Sequence, residues 1–125
     1  MSVEITAREL ARTIENGHVI RLIDVRQAWE NDVAKLPDSL LIPLNEIPTR
    51  ASEIPLEPTT MIVVYCHHGV RSQSAAEYLL RLGHFNVRSL RGGISGGTLA
   101  SMKGQLAAMR YGAALQDPQM AGTSS

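Results

Sequence analysis

The single cysteine of the chain, Cys66, lies between an apolar stretch and a short loop that contains Arg71. Residues 61–65 predict a buried strand that ends at Cys66, and the residues after Arg71 continue at helical spacing. A helix N-terminus offers free N–H groups that favour the thiolate, the nucleophilic form of cysteine. We therefore expect Cys66 to be a catalytic nucleophile and the loop after it to bind a substrate anion. The loop residues with this expected role are His67, His68, Gly69, Val70, Arg71 and Ser72.

Two other interpretations of this segment are weaker. A cysteine after a buried strand can be a small core residue, but Gly69 and Arg71 beside it favour a reactive site. His67 and His68 suggest a metal site, yet three consecutive side chains rarely converge on one ion, and no spaced His/Cys pair elsewhere would complete it. We therefore expect no metal and no cofactor, and we interpret the histidines as pocket-lining residues.

The spacing between Cys66 and Arg71 separates two classes of cysteine enzyme. Four residues lie between them here, whereas cysteine phosphatases place one residue more between cysteine and arginine. The longer loop rings a tetrahedral oxyanion, while the shorter one favours a smaller, sulfur-sized occupant. The count therefore predicts that the chain is not a phosphatase.

Three motifs of the chain, in this order, resemble those of the rhodanese family of sulfurtransferases. Residues 22–26 read Leu-Ile-Asp-Val-Arg, with Trp29 and Glu30 at the spacing of the family's aromatic–acid pair; residues 66–72 read Cys-His-His-Gly-Val-Arg-Ser; and residues 90–94 read Leu-Arg-Gly-Gly-Ile. Residues 34–39 lack the Gly-His pair common in the family, and Gly96-Gly97 stand where an aromatic residue often follows. These departures bear on packing and substrate preference more than on the cysteine loop.

The resemblance implies a sulfurtransferase that works through a persulfide on Cys66. It would take a sulfane sulfur from a donor such as thiosulfate and pass it to cyanide in vitro or to a thiol in the cell. Arg71 would stabilise charge on the donor or orient the loop, and Ser72 could cap the following helix. The resemblance also implies that Asp24 and Arg26 brace the loop from a neighbouring strand end. A sulfur-relay carrier with a protein partner, or a non-enzymatic binding module, remains an alternative.

Alternating helix and strand patterns predict the elements that position this loop. A capping box at Thr6 and Glu9 begins a helix that Gly17 ends, and residues 44–60 read as loop with one short helical turn. Together with the resemblance, the pattern predicts an α/β, rhodanese-like three-layer fold: a small parallel sheet of about four to five strands with helices on both faces. The predicted strands are 19–24, 40–42, 61–65 and 86–90; the predicted helices after the first are 27–34, 72–82 and one from about Thr98 that carries Leu99, Met102, Leu106 and Met109.

Composition narrows the setting of this site. A length of 125 residues with 44% hydrophobic content predicts one domain, residues 1–117, with a flexible tail over 118–125. One cysteine and the lack of a signal-like N-terminus or apolar span favour the cytoplasm and no membrane contact. Net charge is zero, but residues from 58 onward carry six basic and two acidic side chains, which would favour a small anion. The sequence has no basic run with interleaved aromatic residues, so we do not expect nucleic acid as a partner. We expect a monomer or weak homodimer.

Overall fold

A five-stranded parallel sheet forms the centre of the molecule. The computed structural model describes residues 3–95, 98–104 and 106. The strands are β1 (Glu4–Ile5), β2 (Val19–Asp24), β3 (Leu40–Leu41), β4 (Thr60–Tyr65) and β5 (Val87–Leu90). Their order is β1-β5-β4-β2-β3, and every pair is parallel. The predicted small parallel sheet is therefore confirmed, and its carboxyl edge is the place where ligands bind in such sheets.

Helices connect the strands, and the first of them begins at the predicted cap. They are α1 (Ala7–Glu15), α2 (Ala28–Val33), α3 (Ile47–Arg50) and α4 (Val70–Arg81), and residues 98–104 and 106 are also helical. The predicted capping box is present: Thr6 Oγ1 accepts from the Glu9 N–H at 3.0 Å, and the Glu9 carboxylate accepts from the Thr6 N–H at 2.8 Å. These two bonds satisfy N–H groups that would otherwise have no partner at the start of α1.

The sheet is covered on both faces, as the three-layer prediction requires. The side chains of β4 alternate between two buried clusters, which is why its sequence is almost continuously apolar. Ile62 and Val64 pack with Ala75 and Leu79 of α4 on one face. Val63 and Tyr65 pack on the other face, in the cluster that includes Leu10 of α1 and Met102. Cys66 continues the alternation and belongs to the α4 side.

Three details of the fold differ from the sequence-based expectation. The short edge strand β1 was not expected, because two residues are too few to show a period. Helix α4 begins at Val70, not at Ser72, because Gly69 takes a left-handed φ of 104° at the N-cap position. Ser72 therefore lies inside the first turn and is not the cap that the sequence suggested.

The segment between β3 and β4 is more helical than predicted. It forms a 3₁₀ turn at Leu44–Glu46, then α3, then a second 3₁₀ turn at Ala51–Glu53. Pro48 is compatible with α3 because it occupies the first turn, where a backbone N–H has no helical partner. The prolines here mark helix starts and ends rather than an extended loop.

The described part of the C-terminal segment is helical and packs into the core. Met102 is fully buried and Leu106 is 6% exposed, and Leu99 packs partly against the same cluster. The expected helix start near Thr98 is confirmed. Met109 and the expected tail over 118–125 lie outside the described residues. Within residues 3–95, 98–104 and 106, no helix has both the length and the apolar character needed to cross a bilayer.

Candidate active site

Cys66 lies at the carboxyl edge of the sheet, directly after the central strand β4. Its neighbours in the sheet are β2 on one side and β5 on the other. The residue is only 1% exposed, so it is almost entirely covered by surrounding atoms. The chain then turns through residues 67–69 into α4, and this short turn brings the start of the helix back onto the cysteine sulfur.

Two N–H groups and one hydroxyl, from Gly69 and from the first turn of α4, contact the sulfur. The Gly69 N–H donates to Cys66 Sγ at 3.0 Å, and the Ser72 N–H lies 3.4 Å from it. The Ser72 hydroxyl oxygen is 3.5 Å from Sγ. Both N–H groups belong to the unpaired end of α4, so the sulfur occupies the position that an anion takes at a helix N-terminus.

These contacts favour the thiolate. Burial alone would raise the pKa of Cys66, but hydrogen bonds from the Ser72 hydroxyl and from the N–H groups of Ser72, Gly69 and His68 more than offset it, and the pKa is lowered. A lowered pKa increases the fraction of thiolate, which is the reacting form of cysteine. The cause is local hydrogen bonding at the helix start, in agreement with the chemistry expected of this loop.

Arg71 forms an ion pair with Glu30 of α2. Its two terminal nitrogens donate to the two carboxylate oxygens of Glu30 at 2.7 and 2.9 Å, a bidentate geometry. Hydrogen bonding from Arg71, followed by that from the Gln27 N–H, lowers the pKa of Glu30 to about 2 despite partial burial. The pair therefore stays ionised at any pH well above 2, and it ties the cysteine loop to α2.

Asp24 and Arg26 lie at the end of the neighbouring strand but bond mainly to each other. The Asp24 carboxylate accepts from the Arg26 N–H, Nε and Nη2 at 2.8 to 2.9 Å, and from Asn31 Nδ2 at 2.9 Å. Arg26 Nη2 also donates to the Ala34 carbonyl at 2.6 Å. Both members of the pair are buried. Their hydrogen bonds hold α2 in place, and through Glu30 this bracing reaches the cysteine loop indirectly.

The stretch without the family's Gly-His pair is anchored by a tyrosine. The Leu36 N–H donates to the Tyr65 hydroxyl at 3.1 Å, and the Tyr65 and Ser39 hydroxyls are 2.8 Å apart. Leu36 is fully buried in the cluster on the α1 side of the sheet. This segment is therefore fixed by the end of β4, one residue before Cys66.

The Gly-Gly turn after β5 supports the cysteine loop from behind. The Ile94 N–H donates to the Cys66 carbonyl at 3.1 Å, and the Ser95 N–H donates to the His67 carbonyl at 3.0 Å. Gly93 has a φ of +65°, and a methyl group there would collide with both of those carbonyl oxygens. The turn thus needs glycine at 93 for close approach to the backbone that carries Cys66.

The outer side of the loop is open. His67, His68 and Val70 are exposed, and the two imidazole rings meet edge to face at 4.3 Å. Within the described ranges, no three His, Cys, Asp or Glu side chains are grouped so that they could hold a metal ion. Two shallow surface depressions are lined by α1 residues, and neither includes a residue of the cysteine loop. The exposed part of the site is therefore the outer side of the loop, at His67, His68 and Val70.

Sequence reasoning missed the roles of three residues that do not contact the sulfur but contact the groups around it. It noted Glu30 only as part of a motif, although its position one helix turn into α2 gives the carboxylate that Arg71 needs. It assigned no role to Gly93, whose closeness to other backbone no local pattern reveals. It also overlooked Ser89, a polar residue that follows Val87 by two positions and so shares its inward face. That alternation was the signal that could have identified Ser89.

Comparisons with known proteins agree with this arrangement. A family model for the rhodanese-like domain matches residues 6–100. The chain is 37% identical over 91 residues to a sulfurtransferase from Allochromatium vinosum, covering 73% of this chain and 83% of that protein. It is 38% identical over 79 residues to the thiosulfate sulfurtransferase GlpE from Pseudomonas savastanoi pv. phaseolicola, covering 63% and 71% of the two chains.

Longer relatives and a solved structure complete the comparison. The chain is 34% identical over 90 residues to the probable adenylyltransferase/sulfurtransferase MoeZ from Mycobacterium tuberculosis, but these cover 72% of this chain and only 23% of MoeZ. The crystal structure of a rhodanese-related protein from Thermoplasma volcanium superposes with a TM-score of 0.67 at 28% identity, covering 78% of this chain and 91% of that one. On its fold, its motifs and these relatives, the chain belongs to the family of rhodanese-like domains and to its sulfurtransferases.

Proposed function

We propose that the protein transfers a sulfane sulfur from thiosulfate to a thiophilic acceptor through a persulfide on Cys66. The observation that carries the proposal is the pair of N–H groups, from Gly69 at 3.0 Å and Ser72 at 3.4 Å, directed at a nearly buried sulfur. Such a cradle stabilises an anionic sulfur without a metal ion. Similarity to a thiosulfate sulfurtransferase supports thiosulfate as the donor.

Two displacements at sulfur complete the reaction. The Cys66 thiolate attacks the outer sulfur of thiosulfate, the S–S bond breaks, and its electron pair leaves with sulfite. The acceptor then attacks the outer sulfur of the persulfide, and the electron pair of the broken S–S bond returns to Cys66 as thiolate. Cyanide leaves as thiocyanate, and a thiol leaves as a persulfide. Because one intermediate is shared by both halves, ping-pong kinetics are expected.

Access to the site favours a narrow electrophile. Cys66 is 1% exposed, so a terminal sulfur approaching end-on meets less obstruction than a bulky tetrahedral group. In this reaction Arg71 holds the loop through the two hydrogen bonds that its terminal nitrogens donate to Glu30. Donor and acceptor would approach in turn along the exposed side of the loop, at His67, His68 and Val70.

A sulfur-relay role is a second candidate, favoured by exposed apolar side chains on the cysteine loop and on α2. Val70 is 75% exposed beside the site, and Trp29 and Val33 on α2 are 68% and 78% exposed. The ion pair between Glu30 and Arg71 leaves little net charge between them. Exposed apolar side chains on the cysteine loop and on α2 favour contact with a protein that carries the acceptor thiol. In that case transfer to the partner would be much faster than transfer to cyanide.

The proposal predicts that Cys66→Ser abolishes thiocyanate formation and leaves the fold intact. Serine keeps the size of the side chain but is a far weaker nucleophile, so no persulfide forms. The measurement is initial-rate kinetics with thiosulfate and cyanide, together with a thermal melt of each variant. The matched control is Cys66→Ser combined with Ser74→Cys, which places a thiol on the exposed side of α4 and should remain inactive. Retained activity in either variant would overturn the role of Cys66.

A further inference from the structure

A second serine lies behind the first one that contacts the sulfur. Ser89 of β5 is fully buried, and its hydroxyl oxygen is 2.7 Å from the hydroxyl oxygen of Ser72. Ser72 in turn lies 3.5 Å from Cys66 Sγ. The three side chains, Ser89, Ser72 and Cys66, form a continuous buried row on the α4 side of the sheet. Ser89 itself does not contact the sulfur.

The direction of hydrogen bonding in this row depends on the state of the cysteine. Each hydroxyl has one proton to donate. When Cys66 is a thiol, its S–H donates to Ser72 Oγ, and the Ser72 hydroxyl donates to the Gly69 carbonyl at 3.1 Å. When the thiol proton has left to solvent, the Ser72 hydroxyl can turn and donate to the thiolate. Its oxygen then has lone pairs free to accept from Ser89.

We propose that Ser89 is a positioning residue that stabilises the Cys66 thiolate by donating a hydrogen bond to Ser72. This inference deepens the proposed function and rests on it only in taking the thiolate as the reacting form. A donor behind Ser72 satisfies its oxygen while its proton faces the sulfur, and hydrogen bonds in such a chain polarise one another. Without Ser89, the Ser72 oxygen is better placed to accept from the thiol, which favours the protonated state.

The charged and titratable groups around the cysteine are left unchanged when Ser89 is replaced. The side chain of Arg88 alternates to the opposite face of β5, and Ser89 carries no charge. An effect of its removal on the ionisation of Cys66 therefore has to pass through hydrogen bonding. The groups on the loop, β2, α2 and α4 that face this region are Asp24, Arg26, Glu30, His67, His68 and Arg71.

The test is the pH dependence of iodoacetamide alkylation, followed by intact mass. Cys66 is the only cysteine, so the readout reports that thiol alone. Ser89→Ala should raise the midpoint pH of alkylation by about 0.5 to 1, the equivalent of one neutral hydrogen bond. In a Ser72→Ala background the same change should add nothing, because the link to the sulfur is already broken. Ser74→Ala, on the exposed side of α4, is the control and should leave the midpoint unchanged.

Two outcomes would overturn the proposal: an unchanged midpoint in Ser89→Ala, or an equal shift with and without the Ser72 hydroxyl. If Ser89→Ala does not fold, the isosteric pair Ser89→Thr and Ser89→Val replaces it. Only the threonine keeps the hydroxyl, so the valine variant should have the higher midpoint, and equal midpoints would contradict the role of Ser89. Alkylation needs no sulfur donor. A shifted midpoint in a protein that never forms a persulfide would therefore retain this inference and reject the proposed function.

Discussion

At the residue scale, the proposed chemistry depends on the hydrogen-bond donors that contact the Cys66 sulfur. Among the described residues, the groups that hydrogen-bond with the Cys66 sulfur are N–H groups and one hydroxyl. Dipoles fixed by a helix start stabilise an anion without needing to reorganise, which is why a buried thiolate is tolerated here. Arg71, the cation that the sequence places nearest, is held by Glu30. Under the proposed function, Arg71 acts as a positioning residue whose guanidinium is fixed by this pair.

This division of roles predicts that Glu30→Gln and Arg71→Ala have similar effects. Each removes the bidentate pair, lets the loop move, and should lower kcat/KM for thiosulfate on the order of tenfold or more. Stability should change by only about 1 kcal/mol or less, because Arg71 is 35% exposed and solvent screens the pair. The measurements are steady-state kinetics and melting curves of the two variants and of the double variant, whose loss should be less than the product of the single losses.

The control for that series is Asp32→Asn, which removes an exposed carboxylate from the same helix and should leave kinetics unchanged. The pKa of Glu30, near 2, keeps the pair ionised throughout the assay range. The pair is lost only as the pH falls through that value, so pH dependence between 5 and 9 cannot come from it. If Glu30→Gln instead lowered KM for thiosulfate, the freed Arg71 would be a direct anion ligand, and the positioning role would be wrong.

At the element scale, Cys66 is held between the start of α4 and the turn after β5. Gly93 and Gly92 both have positive φ, but only Gly93 is close to other backbone: a methyl group at 93 meets the carbonyls of Cys66 and His67, while one at 92 meets nothing within 4 Å. Substitutions at the two glycines therefore distinguish two effects. Both would strain a left-handed backbone, but only a substitution at Gly93 would also disrupt its close approach to other backbone atoms.

We predict that Gly93→Ala destabilises the protein more than Gly92→Ala and, unlike it, also removes most of the activity. Gly92→Ala should cost about 1 to 2 kcal/mol, the strain of a left-handed alanine, and keep most of its activity at a temperature where it is folded. Gly93→Ala adds the displacement of the loop that carries Cys66. Chemical denaturation and thiosulfate–cyanide assays compare the two. Equal loss of activity in both variants would mean that the turn does not position the loop.

Most elements were predictable because their patterns are local. The continuous apolar run of β4 and the capping box of α1 identify those elements without tertiary information. The site was only partly predictable. Cys66 and its loop are contiguous, but Glu30 and Ser89 reach the site from other elements, and only the packing of α2 and β5 brings them there. The start of α4 was misplaced by two residues because Gly69, usually a stop signal, begins a helix here through its left-handed φ.

At the scale of the whole molecule, the uneven charge of the sequence is partly neutralised by folding. Residues up to 57 carry ten acidic and six basic side chains, and the remainder carries the opposite excess. The fold pairs Glu30 with Arg71 and Glu4 with Arg91, in each case across the two halves. Attraction of a small anion by a positive half is therefore weaker than the sequence suggested, because cations are assigned to partners in three dimensions.

The fold also explains how one small sheet supports the site. Both faces of β4 are buried, so the strand that delivers Cys66 cannot move without disturbing two clusters. The polar contacts at its end then depend on the neighbouring strands β2 and β5, which carry Asp24 and Ser89. The central strand therefore fixes the position of Cys66, while the loop that follows it is exposed on its outer side.

The central claim is that Cys66 carries the transferred sulfur, and intact-protein mass tests it most directly. The protein is incubated with thiosulfate, measured, then treated with cyanide and measured again. We predict a gain of one sulfur atom that is absent in Cys66→Ser, followed by its loss as thiocyanate. No added sulfur from thiosulfate, or a gain that persists in Cys66→Ser, would contradict a thiosulfate-loaded persulfide on Cys66.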